Sequence, residues 1–350
     1  MDTEISLSTN ELYKEMSARK LLWVATLAAV CGITLLTDVL VGPAWLTVPE
    51  VMSAIFTPGS SDPAAQVIVW TLRLPAALMA IVVGATLGIA GAEMQTILDN
   101  PLASPYTLGV SSGAGFGAAL AIVWGAGVFP GFDEYLVSLN SFIFACLTCF
   151  LIYLIGRVRQ VNAETMILAG IGLLFLFHSL LALLQYLATP EALQGIVFWL
   201  FGSLMKTTWP KLGIVTFALL LAIPLLIKDS WELTALKLGD DKAKSLGIDV
   251  ERLRLKTFLL VSLLTASAVC FVGTIGFIGL VGPHIARMLV GEDQRYFLPM
   301  AALSGAVLLS AASIGSKIII PGAIFPIGIV TSLIGVPFFF SLILSKKRGY

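Results

Sequence analysis

Residues able to do chemistry are sparse in this chain and do not gather. Cys146 and Cys149 stand at CxxC spacing, a pattern that can hold a metal, but they fall inside an apolar run with no histidine or other ligand type nearby. With Cys31 and Cys270, which also lie in apolar runs, they read as packing residues. His178, in Phe175-Leu176-Phe177-His178-Ser179, reads as a hydrogen-bonded packing residue and not as a ligand. Asp38, Glu93 and His178 are too scattered to form a proton relay. For Glu93, about five residues from the end of its apolar run, three readings stay open: snorkelling, pairing with a basic partner, or a neutral carboxyl. No nucleophile, base and orienter cluster together, so no catalytic residue and no metal ligand is expected. The absence of any Gly-Lys dipeptide excludes a GxxxxGK[ST] phosphate cradle.

The elements around these residues are membrane spans. Of 350 residues 58% are apolar and 12% charged, with a mean hydropathy of +0.96, which no ordinary soluble domain approaches. The 21 basic and 21 acidic residues balance, so net charge points to no partner, and nucleic acid is not an expected ligand. Runs long enough for a hydrocarbon core of roughly 30 Å occur near 21–41, 76–98, 108–129, 136–156, 165–188, 210–228, 256–275, 277–290, 297–320 and 326–345. The expected fold class is therefore an all-α polytopic membrane protein with ten transmembrane helices. The run 277–290 reaches only about 21 Å and reads as a half-helix buried in protein. The polar residues 1–20 precede a first run without a cleavage pattern, which reads as a retained span after a cytoplasmic N-terminal segment. With both termini inside, only Arg73, Lys206, Lys211 and Lys317 of the 21 basic residues fall outside. That asymmetry supports ten spans with cytoplasmic termini.

One break in this pattern is informative. Between the second and third runs stands Asn100-Pro101-Leu102-Ala103-Ser104-Pro105-Tyr106-Thr107-Leu108-Gly109, continuing to Gly115. Irregular backbone near membrane depth is tolerated only inside protein or beside a wet pathway, which makes this segment a candidate gate. A second glycine-rich, proline-broken segment, Gly273 to His284, occupies the corresponding place after the seventh run. Because the second and seventh runs have opposite directions, the two segments predict an inverted repeat of the kind that marks a translocation path. Gly84 and Gly88, and Gly109, Gly113 and Gly117, recur every four residues and permit close helix crossing.

Three connections carry further elements. Val48 to Phe56 reads as a short amphipathic piece on the outer face, and residues 197–202 as a short interfacial helix with aromatic anchors. The largest inner loop, 228–256, holds seven of the 21 basic residues. Its stretch Thr234 to Leu246 predicts one helix with Leu236, Leu238, Ala243 and Leu246 on a partly apolar face, ended by Gly247, with Asp249 capping a second short helix. It reads either as a solvated loop or as a docking element for a cytoplasmic partner.

From about Val48 to Leu344 the chain resembles the FecCD-type membrane subunits of bacterial ABC importers for iron-siderophore complexes, haem and cobalamin. The resemblance rests on Arg73-Leu74-Pro75, Gly91-Ala92, Gln95, Asn100-Pro101-Leu102-Ala103 with Pro105 and Leu108-Gly109, and Leu168-Ala169-Gly170. It continues in Leu238-Gly239-Asp240, Leu246-Gly247, Gly276-Phe277-Ile278-Gly279-Leu280, Pro283-His284 and Pro326-Ile327-Gly328. It implies a cobalamin-importer-like (type II ABC importer) permease fold, one transmembrane domain over residues 1–350, in the bacterial inner membrane. It also implies a dimer with a second copy or a paralogue, two separate ATPase subunits that bind ATP and Mg, and a periplasmic or lipoprotein substrate-binding protein. No cofactor is expected on this chain. A ferric siderophore is the favoured substrate, with haem and cobalamin as alternatives; an ion-coupled secondary transporter is the competing class.

Site roles follow from the same resemblance. Asn100 and Leu102 match the cytoplasmic constriction, with Asn162 to Glu164 in the neighbouring loop; Asn100 also reads as a helix cap. Leu238, Gly239, Asp240, Asp241, Lys242, Ala243, Leu246 and Gly247 match the elements that couple to the ATPase. Arg73 and Lys317 match basic positions that dock the binding protein, although Ala76 stands where relatives often carry a second arginine. Gly276, Gly279, Pro283 and His284 belong to the structural half-helix.

Overall fold

The computed structural model describes residues 9–44, 46–57, 62–125, 135–159, 163–320 and 322–345. They form α1 (Thr9–Leu40), α2 (Val48–Phe56), α3 (Pro63–Val67), α4 (Leu74–Ile97), α5 (Val110–Trp124), α6 (Leu136–Arg159), α7 (Ala163–Leu187) and α8 (Pro190–Leu200). Beyond these come α9 (Trp209–Lys228), α10 (Ser230–Leu236), α11 (Asp240–Ser245), α12 (Val250–Val272), α13 (Ile278–Val290), α14 (Gln294–Ile318) and α15 (Ile327–Ser345). A π-helical turn, Ile68–Arg73, joins α3 to α4 without a break. Seven of these helical stretches are long and apolar enough to cross a membrane, and α5, α13 and the apolar part of α15 are shorter.

The centre of the bundle is α4, whose residues are buried almost without interruption from Pro75 to Ile97. Burial on all sides demands small residues where neighbours cross. A Cβ at Gly84 would fall on the Gly305 carbonyl of α14, and one at Gly91 on the Gly279 carbonyl of α13. The expected close crossings are thus present at Gly84 and Gly88, and Gly113 and Gly117 abut Thr148 and Asn140 of α6. Gly109 meets the expectation against α7, where a Cβ would fall on the Leu174 backbone, and it also precedes α5 with φ +78°, a left-handed turn.

The contacts also give helix directions. Arg73, at the start of α4, lies with Val39 and Leu40 at the end of α1, whereas Ile97, at the end of α4, lies with Arg254 near the start of α12. α12 therefore runs against α4. The break after α4 sits at the Ile97 end, and the break after α12 at the Arg73 end, where Gly273 meets Trp199 and Gly202. Two long buried helices, each followed by a broken segment and a short helix, stand in opposite directions. The half-helix α13 has the expected short length, 13 residues, with Ile278, Val281, Pro283 and Ala286 buried.

In the connection 228–256 the expected single helix is two. Lys237 to Gly239 separates α10 from α11, because Gly239 adopts φ +99°, a value that ends one helix and starts the next in a new direction. Asp249 does cap a helix, accepting from the Arg252 N–H at 3.1 Å, but that helix is α12 itself. The aromatic piece predicted over 197–202 is the end of the longer α8, and α2 matches its expected bounds.

Candidate functional site

The segment after α4 shows how broken backbone survives inside the bundle. The Ala103 N–H donates to the Asn100 carbonyl at 3.0 Å, Leu108 to Ser104 at 3.2 Å, and Val110 to Pro105 at 3.2 Å. Ser104 and Thr107 close the middle: the Ser104 N–H donates to Thr107 Oγ1 at 2.9 Å, and the Thr107 N–H to Ser104 Oγ at 3.2 Å. Much of the loop's hydrogen-bonding demand is met within the loop itself. Asn100 Oδ1 accepts from the Leu102 N–H at 2.9 Å, a turn within the loop and not a helix cap. Leu102 is left 53% exposed, an apolar side chain pointing out of the turn. Glu164 is exposed in the first turn of α7, and no hydrogen bond or ion pair joins it to Asn100 or Leu102 among the described residues. Asn162 lies outside the described residues.

The α10–α11 elbow projects from the same end. Leu236 and Ala243 turn inward, 3% and 0% exposed, so the apolar face expected of one helix is divided. Leu238 and Leu246 remain outside, 57% and 52% exposed, on either side of α11. Around them Gly239, Asp241, Lys242, Lys244 and Gly247 are exposed. Two apolar knobs set in a ring of charge form a surface that fits a groove with matching polar rims. Asp240 is half-buried, held by Arg254 of α12.

Arg73 and Lys317 do not stand free at the other end. Arg73 is 5% exposed and its guanidinium donates to three carbonyls: Val39 at 3.1 Å, Leu40 at 2.7 Å and Ala44 at 2.6 Å. These acceptors cluster where α1 ends, and a helix end without donors leaves carbonyls unsatisfied. Lys317 is buried with Asp38, Nζ to Oδ1 2.7 Å, and also donates to the Asp38 carbonyl at 2.8 Å. Ser313 Oγ donates to the same carboxylate at 2.9 Å. The expected docking role is corrected for both residues, because each spends its charge inside the chain. The sequence signal that separates the cases is Asp38, a carboxylate in an apolar run, which needs a partner.

Beside them an open cleft of about 420 Å³ is walled by Phe198, Trp199, Phe271 and Phe325, with Ser203 and Lys206 at its polar margin. Its floor is a junction of three chain breaks. The Ser203 N–H donates to the Val272 carbonyl at 2.8 Å, the Gly328 N–H to the Phe201 carbonyl at 2.9 Å, and Thr274 Oγ1 to the Leu200 carbonyl. The end of α8, the break after α12 and the start of α15 are thereby joined.

Glu93 has no exposure, and neither carboxylate oxygen has a hydrogen-bond partner among the described residues. Snorkelling and pairing with a base are excluded for it. His178 is exposed on α7 and does not pack within this chain. His284 lies edge-on to Phe338 of α15, centroids 5.9 Å apart, and so joins the half-helix to α15. Within that half-helix Gly279 abuts α4 at Gly91, which a side chain there would prevent. The four cysteines are free, and no group of metal-ligating residues occurs among the described residues.

Outside the soluble-looking loop, two carboxylates keep their charge through local donors. The Thr47 N–H, 2.7 Å from the Glu50 carboxylate at the start of α2, holds that exposed group below its usual range. Arg295 bonds both oxygens of Asp293, at 3.0 and 2.6 Å, and holds its carboxyl below the usual range.

A helical bundle with two internally satisfied breaks at opposite ends, and a projecting elbow at one of them, is the class of a multi-pass transport permease. The comparisons agree: the model of the FecCD transport family matches residues 29–345, and the chain belongs to that family. It is the membrane permease of an ABC importer and not an enzyme. It is 36% identical to the molybdate import system permease MolB of Haemophilus influenzae, over 94% of this chain and 97% of that one. It is 36% identical to the hemin transport system permease HmuU of Yersinia pestis, over 80% of this chain and 84% of that one. A solved structure of a metal-chelate type ABC transporter in an inward-facing conformation superposes with a TM-score of 0.81 at 35% identity, covering 92% of this chain and 98% of that chain.

Proposed function

We propose that this chain passes a ferric siderophore across the bacterial inner membrane, driven by two ATPase subunits and fed by a substrate-binding protein. The observation that carries the substrate reading is the cleft at the Arg73 end. Its lining combines the aromatic rings of Phe198, Trp199, Phe271 and Phe325 with Ser203, Lys206 and Lys317, a mixed surface that suits a chelate with apolar and anionic parts. A molybdate path is the second reading, favoured by the likeness to MolB over nearly the whole chain.

In this reading the ten expected membrane helices are the seven long stretches together with α5, α15 and the half-helix α13, which enters the bundle beside α4 without crossing by its own length. The Ile97 end is cytoplasmic: Lys237, Arg254, Arg287 and Arg295 collect there, and Lys20 of α1 lies 5.1 Å from the Tyr296 ring. α15 starts at the opposite end, beside Phe201, so both termini face the cytoplasm. Leu238 and Leu246 seat the ATPase, and Asn100, Leu102 and Glu164 form the gate with Asn162. The binding protein docks at the Arg73 end, where Lys206 is exposed. A second permease copy or a paralogue covers the α7 face that carries His178, since an imidazole is disfavoured against lipid.

The test is ATP hydrolysis by the reconstituted complex, with its binding protein, against ferric siderophores, haem, cobalamin and molybdate. Stimulation by a ferric siderophore is expected. Stimulation by molybdate alone would replace the substrate reading with the second one, and transport without any ATPase would remove the importer itself.

A further inference from the structure

Two buried or nearly buried cations join the α10–α11 elbow to the gate turn and to the half-helix. Arg254, 3% exposed on α12, donates Nε to the Ile97 carbonyl at 2.8 Å, the last residue of α4. The same guanidinium reaches both oxygens of Asp240, the first residue of α11, at 3.0 and 3.2 Å. Lys237, at the end of α10, places Nζ 2.7 Å from Asp99 and 3.7 Å from Glu292. Glu292 accepts from Arg287 Nε at 2.8 Å, Arg287 Nη2 donates to Gln95 Oε1 at 3.0 Å, and Gln95 Nε2 donates to the Gly279 carbonyl at 3.4 Å. The path leaves the elbow, passes the gate turn, and ends in the first turn of the half-helix.

Asp99 is the turn's weak point. It holds φ +42°, one of two non-glycine residues with positive φ among the described residues. Side chains rarely adopt that conformation without constraint. Leu102 follows three residues later in a loop whose own hydrogen bonds make it move as a piece. Packed interfaces of this kind switch between discrete arrangements and do not stretch. A displacement of α10–α11 therefore either breaks three ion pairs or carries Ile97, Asp99 and α13 with it.

We propose that Lys237 and Arg254 are positioning residues that transmit movement of the ATPase-facing elbow to the Asp99–Leu102 turn and to α13. This rests on the importer reading above. Because the Asp99 side chain is 74% exposed, its bond to Lys237 adds little to equilibrium stability. A fastener needed only for folding would show in thermal stability, and a transmission element shows in the response to nucleotide.

The experiment uses the complex with its ATPase subunits, with Leu102→Cys as reporter and a membrane-impermeant maleimide as probe, with and without ATP, Mg and vanadate. In the otherwise unchanged complex the Leu102→Cys labelling rate changes on trapping. Lys237→Met and Asp99→Asn each shrink that nucleotide-dependent change about fivefold, the double variant is no worse than either, and Lys237→Arg keeps the response. The melting temperature moves little. An undiminished response in Lys237→Met, or losses that multiply in the double variant, overturns the proposal. A complex that neither assembles nor hydrolyses ATP with Lys237 and Asp99 intact instead removes the importer reading on which it stands.

Discussion

The two ends of α4 use the same kinds of charge for opposite purposes. At the Arg73 end, two cations are enclosed within short reach: Arg73 on three carbonyls and Lys317 on Asp38. At the Ile97 end, cations bridge different elements: Arg254 is enclosed, while Lys237 between Asp99 and Glu292, and Arg287 between Glu292 and Gln95, stay partly wet. Enclosure makes a charge costly to disturb and suits a clamp. Partial hydration makes bonds cheap to exchange and suits a moving joint.

The contrast can be broken at three depths. The largest effect is expected from Lys317→Ala, which leaves Asp38 charged and enclosed without its partner, for a loss of about 3–5 kcal/mol in unfolding measurements. Replacing both, Lys317→Met with Asp38→Leu, restores most of that stability; failure to do so would mean the pair is more than a clamp. Next, Arg73→Lys loses about 2–3 kcal/mol despite keeping the charge, since an ammonium cannot reproduce the guanidinium fork over the end of α1. Equal melting temperatures for the two side chains would show that charge alone matters there. The smallest effect is at the wet end. Asp293→Ala costs about 1 kcal/mol by removing the α14 cap. Because Arg295 depresses the Asp293 carboxyl, its contribution is complete above the ordinary carboxylate value and is lost as pH falls below about 4. A stability gap between parent and variant that persists at lower pH would contradict this assignment.

Much of the site was readable in residue types. Pro101, Pro105 and Gly109 in an apolar stretch announce a helix that stops, and lipid physics then requires the stop to be covered. The Gly84 and Gly88 spacing announces a close crossing, because only small residues let backbones approach. Gly109 serves twice in the same pattern: spacing announces its contact with α7 but not the left-handed φ that it also supplies. Arg73 and Lys317 were misleading for a related reason. A lone basic residue near a span end has the same appearance whether it faces water or caps a neighbouring helix.

What the sequence by itself determined is the all-helical, multi-pass character, the two breaks and the family. These depend on run length, apolar content and local motifs, which are properties of neighbours in the chain. Only the tertiary structure decided which charges are consumed. Asp38 and Lys317, or Gln95 and Arg287, meet across long separations in sequence, and each is bound or free according to which helix packs against it. The same packing turned Leu236 and Ala243 inward and left Leu238 and Leu246 outward, since a single left-handed residue, Gly239, redirects the chain between them.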